Sequence, residues 1–339
     1  MKTLSLEVPH TEEWELYHNS FSICSKKVRV CMEELGLPYR GHHVHLIETG
    51  RYESVSQEYL RVNPKGTVPM LVHHGQRVFE SHVQIAYAAR HVTGAREGLS
   101  PSNPSDEETE HAWVDRASIV GDRPVSPADT AARAGNCVAV LTVPLFATMV
   151  RYIPYREIAK GLLTHPNKER PLLFLTLRLF SVKRLHWLVP AMRVIRRARR
   201  DLERHLDALS AQLSSHGGSW ICGSQFTLAD VSWVVLLDRL VEADWDEYLW
   251  GNGRRPVVAA YWVRLRERPS VQRQIDATRC EITRAGMSDL KQAKRVHPSL
   301  KKALEGRERN EEPRATMASV GPRERESVTN GKGSENPTP

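Results

Sequence analysis

Apolar spacing switches between period two and period 3.6 through the first ninety or so residues, and this switching restricts the chain more than any single motif. Residues 13–18, Glu-Trp-Glu-Leu-Tyr-His, alternate as a half-buried strand does. From Ser25 the spacing turns helical: Val28, Cys31, Met32 and Leu35 stand at i, i+3, i+4 and i+7, and Gly36 supplies a stop. Tyr39 to Leu46 alternates again, and a short helix is expected near Ser56–Arg61. Two apolar runs, Met70–Val72 and Arg77–Phe79, then flank His-His-Gly-Gln like the arms of a hairpin. Ser81 opens a helix to about Val92, ended by Gly94. The order β-α-β-α-β-β-α predicts a compact α/β domain with one parallel pair, one antiparallel pair and helices on both faces.

From about Ser105 the chain reads as helical, with a proline-punctuated middle. Leu202, Leu206, Leu209 and Leu213 keep helical spacing on a charged helix, Trp245–Trp250 reads as a loop, and Pro269 divides two further helices, Val257–Arg268 and Ser270–Ala285. From about Gly286 the chain is polar and rich in Glu, Arg, Ser, Pro and Gly, so disorder is expected over 286–339.

Composition narrows the class. Hydrophobic content of 40% and charged content of 26% over 339 residues are ordinary for a soluble globular protein of one to three domains. The first residues, Met1-Lys2-Thr3-Leu4, lack the apolar region of a secretory signal. The longest uncharged stretch, Ala134–Val150, contains Asn136 and Pro144 and falls short of the roughly 18–20 apolar residues of a membrane span, so a buried helix pair is expected and no transmembrane span. Cys24, Cys31, Cys137, Cys222 and Cys280 are dispersed without a CxxC, which points to a reducing cytosol and away from structural zinc. Of the net charge of +8, most arises between 104 and 200, where 16 Lys/Arg face 9 Asp/Glu and Arg193, Arg196, Arg197, Arg199 and Arg200 cluster. No aromatic residue interleaves with that cluster and no nucleic-acid motif surrounds it, so a solvated helix face is favoured over a polyanion or membrane-surface site.

Four features of the first domain carry chemistry. The turn Ser22-Ile23-Cys24-Ser25 stands at a helix start, where free N–H groups and a partial positive charge lower the pKa of a nearby thiol. Plain capping by Ser22 or Ser25 is the competing reading. Val68-Pro69 directly precedes a strand, and a cis bond there would present the Val68 backbone to a peptide ligand. Glu80-Ser81 begins a helix and suits the ammonium and carboxylate of an amino acid. Lys65, or His42 or His43, is available to a further carboxylate. Neither His42/His43/His45 nor His73/His74 offers a convincing metal-ligand set, and no metal is expected.

The strings LYHNSFSICSKKVR and NPKGTVPMLVHHGQRVFES resemble the N-terminal domain of cytosolic glutathione S-transferases. They are most similar to the serine-type group around the zeta class, bacterial β-etherases and tetrachlorohydroquinone reductive dehalogenases. WICGSQFTLAD, residues 220–230, resembles the helical domain's folding-motif helix, with Thr227 and Asp230 as a capping box and Phe226 and Val231 as its staple. The resemblance covers roughly 13–93 and 200–275. It implies a thioredoxin-like glutathione-binding domain at 13–93, an all-α domain at 105–285 with an extended insert at about 122–195, and a basic tail at 286–339 that has no counterpart. It further implies that Ser22 donates to the glutathione sulfur, that Val68 binds the cysteinyl backbone beside a cis Pro69, and that Glu80 and Ser81 hold the γ-glutamyl group. Ser25 takes the place of the second thiol of redox relatives, which argues against dithiol chemistry.

The function implied is a cytoplasmic, homodimeric glutathione transferase without metal, acting on a small hydrophobic electrophile, with no nucleic-acid partner. Cys24, two residues after the serine as in the reductive dehalogenases, could attack a glutathionylated aromatic intermediate; inert packing is the competing reading. The NPKGTVP loop and the long insert lean instead toward β-aryl-ether cleavage. The alternative is a non-catalytic glutathione- or ligand-binding relative with a partner or membrane-surface role; vertebrate ganglioside-induced differentiation-associated relatives share an enlarged helical segment, though the apolar anchor that ends them has no counterpart expected here.

Overall fold

The computed structural model describes residues 7–92, 99–101, 103–120, 125–165 and 168–306, a unit that ends at Gly306. Its first part runs β1 (Trp14–His18), α1 (Ile23–Leu35), β2 (Arg40–His43), α2 (Gln57–Val62), β3 (Met70–His73), β4 (Gln76–Val78) and α3 (Ser81–Arg90). The sheet order is β2-β1-β3-β4. β1 pairs parallel with β2 from Glu15 opposite Arg40 to His18 opposite His43, and antiparallel with β3 from Trp14 opposite His73 to Tyr17 opposite Met70. The period-two pattern of β1 has a plain cause: Trp14 and Leu16 enter the main core, while the carboxylate of Glu15 takes the Thr11 N–H at 2.7 Å and His42 Nε2 at 2.8 Å. This is the expected thioredoxin-like domain.

The helical part comprises α4 (Pro104–Arg116), α5 (Pro127–Ala132), α6 (Ala134–Leu141), α7 (Val143–Met149), α8 (Tyr155–Thr164), α9 (Glu169–Arg184), α10 (Val189–Ser215), α11 (Leu228–Glu242), α12 (Asp246–Leu249), α13 (Pro256–Glu267), α14 (Pro269–Val271), α15 (Glu281–Val296) and α16 (Pro298–Glu305). α11 is buried on nearly every side, as a helix at the centre of a bundle is, and its few charged residues, Asp230, Asp238, Arg239 and Glu242, are buried with it. Its start is a capping box in which the Asp230 carboxylate accepts the Thr227 N–H at 2.9 Å, the Ile221 N–H at 3.0 Å and the Tyr261 hydroxyl at 2.7 Å. The stretch Ala134–Tyr152 is long and apolar enough to cross a membrane by length and composition, but 78% of it is buried. It is the expected pair of core helices, with α6 packed on α10 and α7 on α15.

Three expectations change. The helix expected over Ser270–Ala285 divides into α14, a π-helical turn at Gln272–Asp276 and, after a break, the start of α15 at Glu281. Residues 286–305 are not disordered: they belong to α15 and α16, whose Leu290, Ala293, Leu300 and Leu304 are buried. Gly286 lies against Met149 of α7 so closely that a Cβ there would stand 2.4 Å from the Met149 side chain. The apolar residues of this polar segment recur at helical spacing, which composition alone conceals. Residues 307–339 of the expected tail lie outside the described residues. Trp245–Trp250, expected as a loop, contains the short α12.

Candidate active site

α1 begins where β1 ends, and the four-residue link Asn19–Ser22 is fixed from all sides. Asn19 Oδ1 accepts the Phe21 N–H at 2.9 Å, and its Nδ2 donates to Val44 O at 2.9 Å and Thr49 Oγ1 at 3.1 Å. The guanidinium of Arg239 lies 3.6 Å from the centre of the Phe21 ring and donates to the Phe21 carbonyl. Ser22 is the N-cap of α1, its Oγ accepting the Ser25 N–H at 3.2 Å, so the capping reading holds. The same hydroxyl donates to the Val68 carbonyl at 3.5 Å. Ser22 therefore caps and also faces the second element predicted for the site. Ser25 is fully buried, and its hydroxyl accepts the Asn19 N–H at 3.2 Å, which makes it a brace of the turn. Cys24 is a free, half-buried thiol on the first turn of α1.

The Val68-Pro69 bond is cis, and its surroundings are built for that loop. Tyr59 Oη donates to Thr67 O at 2.5 Å, Asn63 Nδ2 to the same oxygen at 2.7 Å, and Gln84 Nε2 to Pro69 O at 3.1 Å. Glu80 precedes α3 with φ of 63°, a left-handed conformation that costs a glutamate energy and marks the position as constrained. Ser81 is buried at the first position of α3. Lys65 Nζ lies 2.9 Å from Glu80 Oε1, with both side chains about half exposed. The two residues predicted for opposite ends of the ligand thus pair with each other.

The histidines divide. His42 is committed to Glu15 and stacks on Tyr17 at 4.3 Å, while His43 packs beside His18 and His45. His73 and His74 gather with Glu13, their ligand atoms lying within 4.8 Å of one another. The expectation that this pair lacks a ligand set is revised to that extent. The group sits at the far end of β1 from Ser22, roughly five residues or about 17 Å of strand away.

Sequence reasoning missed the charges beneath α1. Lys26 Nζ is fully buried, 2.6 Å from Asp238 and 2.7 Å from Glu242 of α11. Arg239 and Arg279 complete the group at 3.0 and 2.9 Å from Glu242. Burial alone would raise the Glu242 carboxyl, but Lys26, Arg239 and Arg279 hold it down at about 2. Arg29 Nη2 crosses to Gln274 O at 2.6 Å. Lys26-Lys27 and Arg29 among the apolar residues of α1 were the available signal, because cations on a core-facing helix need buried partners.

Two family matches cover this frame. The glutathione S-transferase N-terminal domain matches residues 21–91 and the glutathione S-transferase C-terminal domain residues 193–263. The tetrachloro-p-hydroquinone reductive dehalogenase of Sphingobium chlorophenolicum is 26% identical over 265 residues, spanning 77% of this chain and 94% of its own. The glutathione S-transferase TCHQD of Arabidopsis thaliana is 23% identical over 77% of this chain and 89% of its own. The crystal structure of the β-etherase LigF from Sphingobium sp. strain SYK-6 superposes with a TM-score of 0.59 at 18% identity, covering 78% of this chain and 100% of that one.

Proposed function

This chain belongs to the glutathione S-transferase superfamily, and from that premise we propose that it activates the thiol of glutathione at Ser22 for attack on a small hydrophobic electrophile. The observation that carries the reading is the Ser22 hydroxyl, which joins the N-terminus of α1 to the Val68 carbonyl beside Pro69. Glutathione supplies the sulfur nucleophile. With glutathione bound, Ser22 turns its one hydroxyl hydrogen from the Val68 carbonyl to that sulfur, and the helix terminus adds its partial positive charge, so the thiolate is favoured near neutral pH. The Val68 backbone lies along the cysteinyl residue. Glu80 and Ser81 take the γ-glutamyl ammonium and carboxylate, and Lys65 exchanges Glu80 for the glycine carboxylate. This requires the ion pair between Lys65 and Glu80 to open, a small cost for half-exposed groups.

Within that reading, reductive dehalogenation is favoured over ether cleavage. The relative named a reductive dehalogenase matches along nearly its whole length, whereas the likeness to the β-etherase is one of fold. Cys24 then has a role: its thiolate attacks the sulfur of a glutathionylated hydroquinone. The carbon–sulfur bond breaks, its electrons pass to the ring carbon, and that carbon takes a proton. A second glutathione releases Cys24 from the mixed disulfide as glutathione disulfide. The five free cysteines fit a reducing, cytoplasmic setting. A homodimer is part of this reading, and sedimentation equilibrium at twice the chain mass checks it.

The test is turnover of glutathione against halogenated hydroquinones, β-aryl ethers and maleyl compounds, with halide release followed alongside. Release of halide with stoichiometric glutathione disulfide supports the dehalogenase reading. Glutathione binding without turnover of any of the three classes sinks it in favour of the non-catalytic alternative.

A further inference from the structure

The family matches leave residues 92–192 uncovered, and the chemistry of this stretch and the helix it feeds differs from the rest of the chain. Between 151 and 200 there are 13 Lys/Arg against 2 Asp/Glu. Acids elsewhere in the chain meet part of it, as Asp289 meets Arg151, Glu48 meets Arg170 and Glu203 meets Arg199, and the cations left over repel one another.

The excess is concentrated where α5 meets α10. Arg193, Arg196, Arg197 and Arg200 line an open cavity of about 330 Å3 together with Val194 and Thr130. On one helix Arg193, Arg196/Arg197 and Arg200 recur at intervals of three or four residues, so they share a face, and Val189 precedes them on it. Other arginines of α10 have their acids: Arg199 pairs with Glu203 and Arg204 with Asp201. Among the described residues the four cavity arginines have no acidic partner, and all four are exposed.

Aliphatic and aromatic groups stand beside them. Trp187 is 62% exposed, Val189 51% and Val194 45%, all within two turns of Arg193. Leu179 and Phe180 of the preceding helix α9 are exposed as well. Exposed large apolar residues are uncommon elsewhere in the described residues but recur through this insert, and Val194 lines the cavity beside the arginines themselves. Trp187 also supplies the aromatic residue that the arginine cluster itself lacks. A tryptophan with valines and unpaired arginines is the composition that seats at the boundary between lipid headgroups and acyl chains.

We propose that this face docks the protein on an anionic phospholipid surface, with a lipid phosphate in the arginine-lined cavity and Trp187, Val189 and Val194 in the headgroup layer. Neither component suffices alone: the apolar area is small, and electrostatic attachment is weakened by salt. Together they give reversible attachment that leaves the thiol chemistry at Ser22 unchanged. The proposal does not depend on which electrophile the enzyme uses.

The experiment is co-sedimentation of the full-length protein with phosphatidylcholine vesicles and with vesicles that also carry phosphatidylserine. The wild type is expected on the phosphatidylserine vesicles only, less so as salt rises. Arg193→Gln, Arg197→Gln and Arg200→Gln combined should weaken that binding on the order of 100-fold, about fivefold per arginine. Trp187→Ser should weaken it severalfold and leave its salt dependence in place. Both variants change exposed side chains and should keep the wild-type rate of glutathione turnover in solution. Equal binding to the two vesicle types, or to neither, overturns the proposal. So does saturable binding of inorganic pyrophosphate by a protein that ignores vesicles, which would make the cavity a site for a soluble phosphate. A dimer that dissociates on Trp187→Ser overturns it too, by assigning the face to a second copy of the chain.

Discussion

Ser22 is asked to do two things, and they separate experimentally. As the N-cap of α1 it satisfies the Ser25 N–H, and its loss to alanine should cost about 1 kcal/mol of stability. As the donor to the glutathione sulfur it should contribute far more to rate, so Ser22→Ala should lower turnover roughly 10- to 1000-fold with little change in glutathione affinity. Ser22→Thr keeps both the cap and the hydroxyl and should recover most of the activity. A Ser22→Ala enzyme that melts earlier but turns over normally would reduce the residue to its cap. Cys24 makes the complementary case. Cys24→Ala should abolish halide release from halogenated hydroquinones and let the glutathionylated aromatic accumulate, while simple conjugation persists. Loss of neither activity would leave Cys24 a packing residue. Both residues were visible in the sequence because their chemistry depends on a local feature, a helix start, that spacing reveals. The pairing of Lys65 with Glu80 was not, since nothing local says that two side chains fifteen residues apart meet.

At the scale of elements, α1 carries the site, and what seats α1 is the charge group on α11. Lys26 is 212 and 216 residues from its partners, a separation across which no sequence pattern at the scale of a helix can report. The strands and helices themselves were legible, because β1, α1 and the β3–β4 hairpin each satisfy one period and one stop signal. The last two helices were not, because α15 and α16 bury only a few apolar residues among many charges. Replacing Glu242 by Gln tests the charge group. The change leaves Lys26 and Arg279 to share Asp238 but strips Arg239 of its acid in a dry site, and should destabilise the fold by about 3 kcal/mol in urea unfolding. Because the Glu242 pKa is depressed to about 2, its contribution is complete above the ordinary carboxylate range and is lost as pH falls from about 4.5 toward 2. The acid limb of the stability curve should therefore flatten in Glu242→Gln. An unchanged acid limb would mean the ion group is neutral in the balance.

For the molecule as a whole, the pH dependence of stability is a sum of opposed contributions, and one of them can be isolated. Glu110 of α4 accepts the Leu228 N–H at 3.0 Å where α4 meets the start of α11. Burial pushes its carboxyl up to about 7, the bond from Leu228 opposing and the neighbouring Asp230 adding to the rise. A carboxyl raised in the folded state holds its proton better there than in the unfolded chain. Its contribution is complete below about 4.5 and is lost as pH climbs toward 7. His18 works the other way: burial first, and then Arg29, push its imidazole down to about 3, so its contribution is complete above 6.5 and declines as pH falls. Between about 4.5 and 6.5 the two slopes oppose, and the wild-type curve alone attributes nothing. The difference curve does. Glu110→Gln keeps an acceptor for Leu228 but cannot ionise, so relative to wild type it should gain on the order of 2 kcal/mol between pH 4.5 and pH 8, read from urea midpoints at each pH. His18 cancels in that difference because it is common to both proteins. A flat difference across the window would mean that Glu110 titrates normally and that the junction of α4 with α11 admits water.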